Sequence, residues 1–335
     1  MLNIVTGLGT GFALGWALQR GGFCMNTAFR SIVFKEDRSV LRAWVLVLLI
    51  NIPVLAVLEE LGFIRPSLAP FRPLSFLVGG LLFGAGMVWA GGCVSGTYYR
   101  SSKGMLGSLV ALGGFLLGAL SVRRGVLLPF RQALERVEWT IYGDIPRLSH
   151  IIPSNPWVGQ WIIIALVIPL GVVFLLKAPK TRFAIGWKWP LTGSVVGILA
   201  ILAWIFSAQE ARGYGLSLVQ PTTALGAYLF FGDPSALNWT AWLLIGLIPG
   251  AFFAAWKNKD LKLRLPEPRR LLIQLMGGIV MGIGASLAGG CNIGHGITGL
   301  SSLSLSSAVA TLFTMLGNWG ATAFIWQQSR RGVTA

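Results

Sequence analysis

Residues 79–93 read GGLLFGAGMVWAGGC, and residues 277–291 read GGIVMGIGASLAGGC. Laid side by side without a gap, they agree at eight of fifteen positions: every glycine, one alanine and the closing cysteine. A weaker third copy runs from Gly9 to Cys24 and closes on Gly21-Gly22-Phe23-Cys24. A fourth, Arg212-Gly213-Tyr214-Gly215-Leu216-Ser217, holds the matching place in the second half but has no cysteine. All three cysteines of the chain, Cys24, Cys93 and Cys291, thus close a copy of one motif.

The stretches around these motifs are apolar throughout. Of 335 residues, 54% are hydrophobic and only 11% charged, with a mean hydropathy of +0.71. A soluble domain carries about 25% charged residues, so this chain lacks the polar surface a water-soluble body needs. It reads as an all-α integral membrane protein whose surroundings are lipid. Its 27 Lys and Arg against 11 acids give a formal net charge of +16. These bases sit in short runs between apolar spans, where they act as topology signals. Nucleic-acid binding would need a basic face on a soluble domain, and none is expected. Three cysteines without a C-x-x-C exclude a disulfide framework and a simple zinc ribbon.

A hydrocarbon core about 30 Å thick takes roughly 20 residues of apolar helix. Nine stretches suit that length: Leu2–Leu18, Val40–Leu58, Leu74–Ala90, Met105–Val122, Val158–Leu176, Trp189–Phe206, Leu237–Trp256, Leu271–Ala288 and Leu300–Trp326. The first lacks a basic leader and reads as a span rather than a signal peptide. Pro129–Glu138 alternates charged and apolar residues and reads as a surface helix. With nine crossings, 19 of the 27 bases share one side. The positive-inside rule then puts the C-terminus in the cytoplasm and the N-terminus in the periplasm of an inner-membrane protein. Residues 1–128 form a first repeat of four spans, 129–188 a surface helix and a linking span, and 189–330 a second repeat. One linking span makes the second repeat enter upside down, as in inverted-repeat transporters whose substrate site lies near the midplane.

After each motif comes a segment too short and polar to cross: Asn26–Phe34, Val94–Ser102, Ser217–Phe231 and Asn292–Ser302. Such backbone is tolerated at depth only where protein or water surrounds it, so these read as re-entrant half-helices. Their N-terminal amides favour an anion. The substrate-binding candidates are therefore Cys24, Cys93 and Cys291, the turn glycines Gly22, Gly92 and Gly290, and the polar residues Asn292 and His295. Cys93 and Cys291, which end the two strongest copies, are expected to meet near the symmetry axis. Gly80, Gly84, Gly278 and Gly282 read instead as close helix packing. Cys291 and His295 are four apart, but Cys24 and Cys93 have no second ligand nearby, so neither metal nor cofactor is expected. No Asp or Glu lies within a span, and no catalytic triad or nucleotide loop is present. The chain is built to pass something anionic or soft.

The Gly-Gly-Phe-Cys motif at Cys24 and the Ala-Gly-Gly-Cys motifs at Cys93 and Cys291, in a nine-span glycine-rich chain, resemble the YeeE/YedE family of sulfur-compound transporters. The resemblance covers about residues 1–330. It implies an hourglass-like inverted-repeat fold with re-entrant helices, thiosulfate as the transported ion and the three cysteines along its path. It also implies a separate, small cytoplasmic sulfur-carrier protein of the TusA type as partner. Thiosulfate suits these groups, since its oxygens accept from backbone amides and its terminal sulfur from a neutral thiol. The rivals are a membrane sulfurtransferase working through Cys24 flanked by Arg20 and Arg30, a transporter of another sulfur or selenium compound, and a structural subunit.

Overall fold

The computed structural model describes residues 2–34, 37–140, 146–151, 155–177, 186–210 and 212–333. Among these the chain is helical: α1 Leu2–Gly21, α2 Met25–Val33, α3 Ser39–Glu60, α4 Pro73–Trp89, α5 Val94–Ser102, α6 Leu106–Arg123, α7 Leu128–Glu135, α8 Pro156–Lys177, α9 Trp189–Ala208, α10 Val219–Phe231, α11 Trp239–Lys257, α12 Pro268–Leu287 and α13 Leu305–Val333. A π-helical turn, Gly294–Gly299, stands between α12 and α13. Eight stretches are long and apolar enough to cross a membrane. The helix α1 has 20 residues, but its two threonines, its Gln19 and its five glycines lower its hydropathy. The chain is a multi-pass, all-α membrane protein.

Loop contacts sort the connections between the long helices into two sets. On one side Lys262 N–H donates to Lys103 O at 3.1 Å, Arg264 N–H to Gly104 O at 3.0 Å, and Trp187 N–H to Arg20 O at 2.8 Å. On the other, Ser67 N–H donates to Gly213 O at 2.6 Å, Leu148 N–H to Leu303 O at 2.9 Å, and Asn3 to Glu210 at 2.9 Å. The second side also carries α7, which buries none of its residues and is tied by Glu135 to Arg72 at 3.0 Å.

The long helices pack in reciprocal pairs. α1 lies along α11 while α9 lies along α3; α6 lies along α12 while α13 lies along α4; and α4 crosses α12. Small residues make these approaches possible, because lipid gives helices little hydrophobic reason to associate and close van der Waals packing must serve instead. A Cβ at Gly84 would run into Thr314 and Asn318 of α13, and one at Gly80 would stand 2.7 Å from Phe313 Cβ. Gly278 and Gly282 meet Ala111 and Phe115 of α6 in the same way. Gly79 and Gly86 face Gly284 and Gly277 across the α4–α12 crossing.

Candidate functional site

Each cysteine follows a helix stop by two residues. Gly22, Gly91 and Gly289 have φ of +56°, +79° and +78°, the left-handed region that glycine enters without steric cost. At the first two, the chain closes a Schellman turn: Phe23 N–H reaches Leu18 O at 3.1 Å and Gly92 N–H reaches Met87 O at 2.9 Å. The chain then restarts as a short helix with a cysteine as its N-cap, Cys24 for α2 and Cys93 for α5. Gly22 is therefore the turn residue of its copy, with open space where a Cβ would be. Gly92 and Gly290 have a different task. A Cβ at Gly92 would lie 2.9 Å from an Arg100 nitrogen, and one at Gly290 would lie 2.8 Å from the His295 ring.

These restarts bring two sulfurs together. Cys93 Sγ–H donates to Cys24 Sγ across 3.5 Å. Cys93 Sγ also accepts from Met25 N–H at 3.2 Å and Gly96 N–H at 3.5 Å, and exchanges a hydrogen bond with Ser95 at 3.2 Å. Two half-helix N-termini thus converge on one buried thiol pair. Cys291 sits apart from it. Its sulfur is faced by the amides of Ile293 and Gly294 and by those of Leu218 and Val219 at the start of α10. The thiol that Cys93 bonds is Cys24, and no hydrogen bond joins it to Cys291, so the expected meeting of Cys93 with Cys291 gives way to a thiol pair and a single thiol. A hydrogen bond of 2.7 Å between Tyr98 of α5 and Thr222 of α10 ties the halves together.

Longer contacts hold the short helices in place. Asn318 of α13 donates to Asn26 Oδ1 at 2.6 Å, and Trp319 donates to Phe29 O at 2.8 Å, fixing α2. Trp44 donates to Gly296 O at 2.6 Å and Thr298 to Leu216 O at 2.7 Å, fixing the π-turn. Asn292 turns its amide to Met87 Sδ at 2.9 Å. His295 has both ring nitrogens engaged, Nε2 with Ala288 O at 2.8 Å and Nδ1 with Ser307 Oγ at 3.0 Å. A carbonyl can only accept, so Nε2 carries the proton and, in the neutral ring, Nδ1 accepts from the Ser307 hydroxyl. The imidazole therefore braces the turn before Cys291 and keeps no nitrogen free for an ion or a metal.

Two basic features escaped the sequence reading. Arg100, in the expected half-helix Val94–Ser102, folds back from the end of α5 to the Gly91 carbonyl and lies over the Tyr99 ring. Its charge bears on both Cys24 and Cys93. The signal was present, since positions 93, 96 and 100 share one helical face. The second feature is a cavity of about 530 Å³ between α6, α7, α10 and α11, lined by Arg123, Arg124, Arg131, Arg212, Gln220 and Thr223. Asp233 pairs with Arg124 and Glu135 with Arg131, each at 2.9 Å. Arg212 donates to Gln220, but its Nη1 is buried without a partner. Burial pushes the Arg212 guanidinium down to about 10, which leaves it charged at neutral pH. The cavity reaches Gln220, next to the Val219 amide that faces Cys291.

The arrangement brings backbone amides, a guanidinium group and thiols to one buried region. Comparison with known proteins places the chain among transporters. The chain is 34% identical to the thiosulfate transporter TsuA of Spirochaeta thermophila, covering 94% of this chain and 97% of that one. It is 29% identical to the thiosulfate transporter TsuA of Escherichia coli, covering 98% and 96%. A shorter match, 36% over 24% of this chain and 21% of the other, links it to the probable transporter YedE of Escherichia coli. Residues 20–320 match the family described as sulphur transport, and the chain belongs to that family.

Proposed function

We propose that this protein takes up thiosulfate across the bacterial inner membrane, and that the ion passes the two cysteine half-sites. The observation that carries this reading is the Cys24–Cys93 pair set on the N-termini of α2 and α5. Amides there suit the oxygens of a dianion, while a thiol suits its terminal sulfur. Several weak sites in series favour conduction, because an ion must leave each as readily as it enters. The test is uptake of labelled thiosulfate into proteoliposomes, with sulfate as competitor. Saturable uptake that sulfate does not block is expected; its absence, or equal competition by sulfate, overturns the reading. Label in both sulfur positions separates transport from sulfur transfer: both labels arrive together in the first case, and only the sulfane label in the second.

The arginine cavity supports this reading as the place where the ion is first held. Removing one charge-assisted anion contact of about 1.5–3 kcal/mol raises the half-saturation concentration roughly tenfold or more. We expect that change for Arg212→Gln, with the maximal rate little altered. An unchanged half-saturation concentration would remove the cavity from the path.

The reciprocal helix pairs support an inverted repeat. Exchanging α1–α6 with their counterparts α9, α10, α11, α12, the π-turn and α13 carries α1–α11 onto α9–α3, α6–α12 onto α13–α4, and α4–α12 onto itself. In this correspondence the place of Cys24 falls at the start of α10, which has no cysteine, so Cys291 is left without a sulfur partner. The correspondence supports the split at 1–128, 129–188 and 189–330. The 19 bases on one side support a cytoplasmic placement of that side. Lys257, Lys259 and Lys262 lie there beside Leu263 and Leu265, which are 80% and 70% exposed. This surface suits an acidic face on a carrier of the TusA type; a second basic loop on that side, Lys177–Lys188, is also a docking candidate, and most of it lies outside the described residues. Inverted vesicles should retain such a carrier, and right-side-out vesicles should not. Reversing the three lysines to glutamate should abolish the retention, and equal retention by all three preparations would refute both the side and the surface.

A further inference from the structure

Three free, buried thiols serve the proposed path, and only two of them touch. We propose that Cys24 and Cys93 are the site of a reversible disulfide, and that this bond closes the path when the protein meets a hydroperoxide. The sulfurs stand 3.5 Å apart. A disulfide needs about 2.05 Å, so the pair lies one small displacement from bonding.

The local fold permits that displacement. Both cysteines cap short helices, and each follows a left-handed glycine, Gly22 or Gly91, by two residues. The backbone can swing at such a glycine without straining a side chain. Gly96 flanks the pair with bare backbone: a Cβ there would stand 2.7 Å from Cys24 Sγ and 3.6 Å from Cys93 Sγ. Cys291 has no such neighbour. It is held by backbone amides and serves as an internal control.

The chemistry balances with hydrogen peroxide as oxidant. One sulfur, as its thiolate, takes an oxygen from the peroxide to become a sulfenic acid, and hydroxide leaves. The second thiol attacks the sulfenic sulfur, the S–S bond forms and water departs. In sum two thiols and one peroxide give one disulfide and two waters, with two electrons passing from the sulfurs to the peroxide. A dithiol returns the pair to its reduced form by exchange. Closure rests on the thiosulfate reading, since the bond consumes the S–H groups that the ion is proposed to meet and draws α2 and α5 together.

The experiment uses the full chain, purified reduced in detergent and treated with hydrogen peroxide. It is then denatured, alkylated with a maleimide and weighed intact. Reduced protein should take three maleimides and oxidised protein one, and dithiothreitol should restore three. Cys291→Ser should fall from two to none, while Cys24→Ser should keep two after peroxide. Three maleimides on the oxidised wild-type chain, or a sulfinic acid instead of the loss of two hydrogens, overturns the proposal. Because Cys291→Ser leaves the pair intact, the test stands even if Cys24→Ser fails to fold. In proteoliposomes, peroxide should reduce thiosulfate uptake to near background and dithiothreitol should restore it. A disulfide that leaves uptake unchanged refutes closure. Reduced protein that carries no thiosulfate refutes the transport reading and leaves the maleimide count untouched.

Discussion

Thiosulfate uptake should fall at least about tenfold in Cys93→Ala and in Cys24→Ala, with the protein present in the membrane at its normal level. A hydrogen bond to a charged partner is worth about 1.5–3 kcal/mol, and each 1.4 kcal/mol is tenfold in binding. Cys93→Ala has the larger consequence. It removes the partner of Cys24 and the acceptor of the Met25 and Gly96 amides in one step. Sites in series compound the loss, because one failed step stops the whole path. Cys93→Ser keeps a donor and an N-cap but replaces a soft atom with a hard one, so it should restore structure and recover little flux. Cys291→Ala is expected to reduce uptake while leaving the Cys24–Cys93 pair intact. Uptake measured for Ala and Ser at all three positions decides the matter. Near-normal rates in all six variants would end the idea that the thiols form the path; normal rates at one site alone would assign that cysteine to packing.

The second large effect is structural. At Gly86→Ala, the new Cβ would lie 2.7 Å from Met281 Cα and closer still to the Met281 amide nitrogen. Both atoms are backbone of α12, so no side chain can rotate away. Overpacking of this kind costs about 1–3 kcal/mol where side chains can adjust, and rigid backbone places Gly86→Ala at or above the top of that range. The crossing of α4 on α12 also sets the positions of the turns before Cys93 and Cys291, so any survivor should transport poorly. Gly113→Ala is the matched control, since a Cβ there has no neighbour within 4 Å. The readouts are the monodisperse fraction after detergent extraction and the thermal midpoint of the purified chain. A Gly86→Ala protein as stable as Gly113→Ala would show that α4 and α12 do not need this contact.

Local rules read from the sequence found most of the architecture. The nine expected spans coincide with the nine longest helices among the described residues, all but α1 apolar enough to cross, because a bilayer core fixes both the length and the apolarity of whatever crosses it. The four short segments emerged as α2, α5, α10 and the π-turn within a few residues of their expected limits. They were legible for a local reason: a left-handed glycine stops one helix, and the cysteine two residues on caps the next at α2 and α5. Close packing at Gly80, Gly84, Gly278 and Gly282 was legible too, since small residues repeated every four positions make one smooth helix face.

Tertiary structure alone decided which groups meet. Sequence similarity pairs Cys93 with Cys291, because those two end the best-matched copies. Similar copies related by an inverted repeat occupy equivalent places, and equivalent places need not be adjacent ones. Adjacency came instead from α2 and α5, whose N-termini converge and set Cys24 against Cys93. The same applies to His295, which pattern placed on a binding face and which packing committed to Ala288 and Ser307. It applies to the arginine cavity as well: Arg123 and Arg131 are distant in sequence from Arg212, and α10 packed against α6 brings them to one opening. Composition, length and turn chemistry act within about 20 residues and so determined the elements. Partners come from contacts between elements far apart in the chain, which only the folded arrangement of helices fixes.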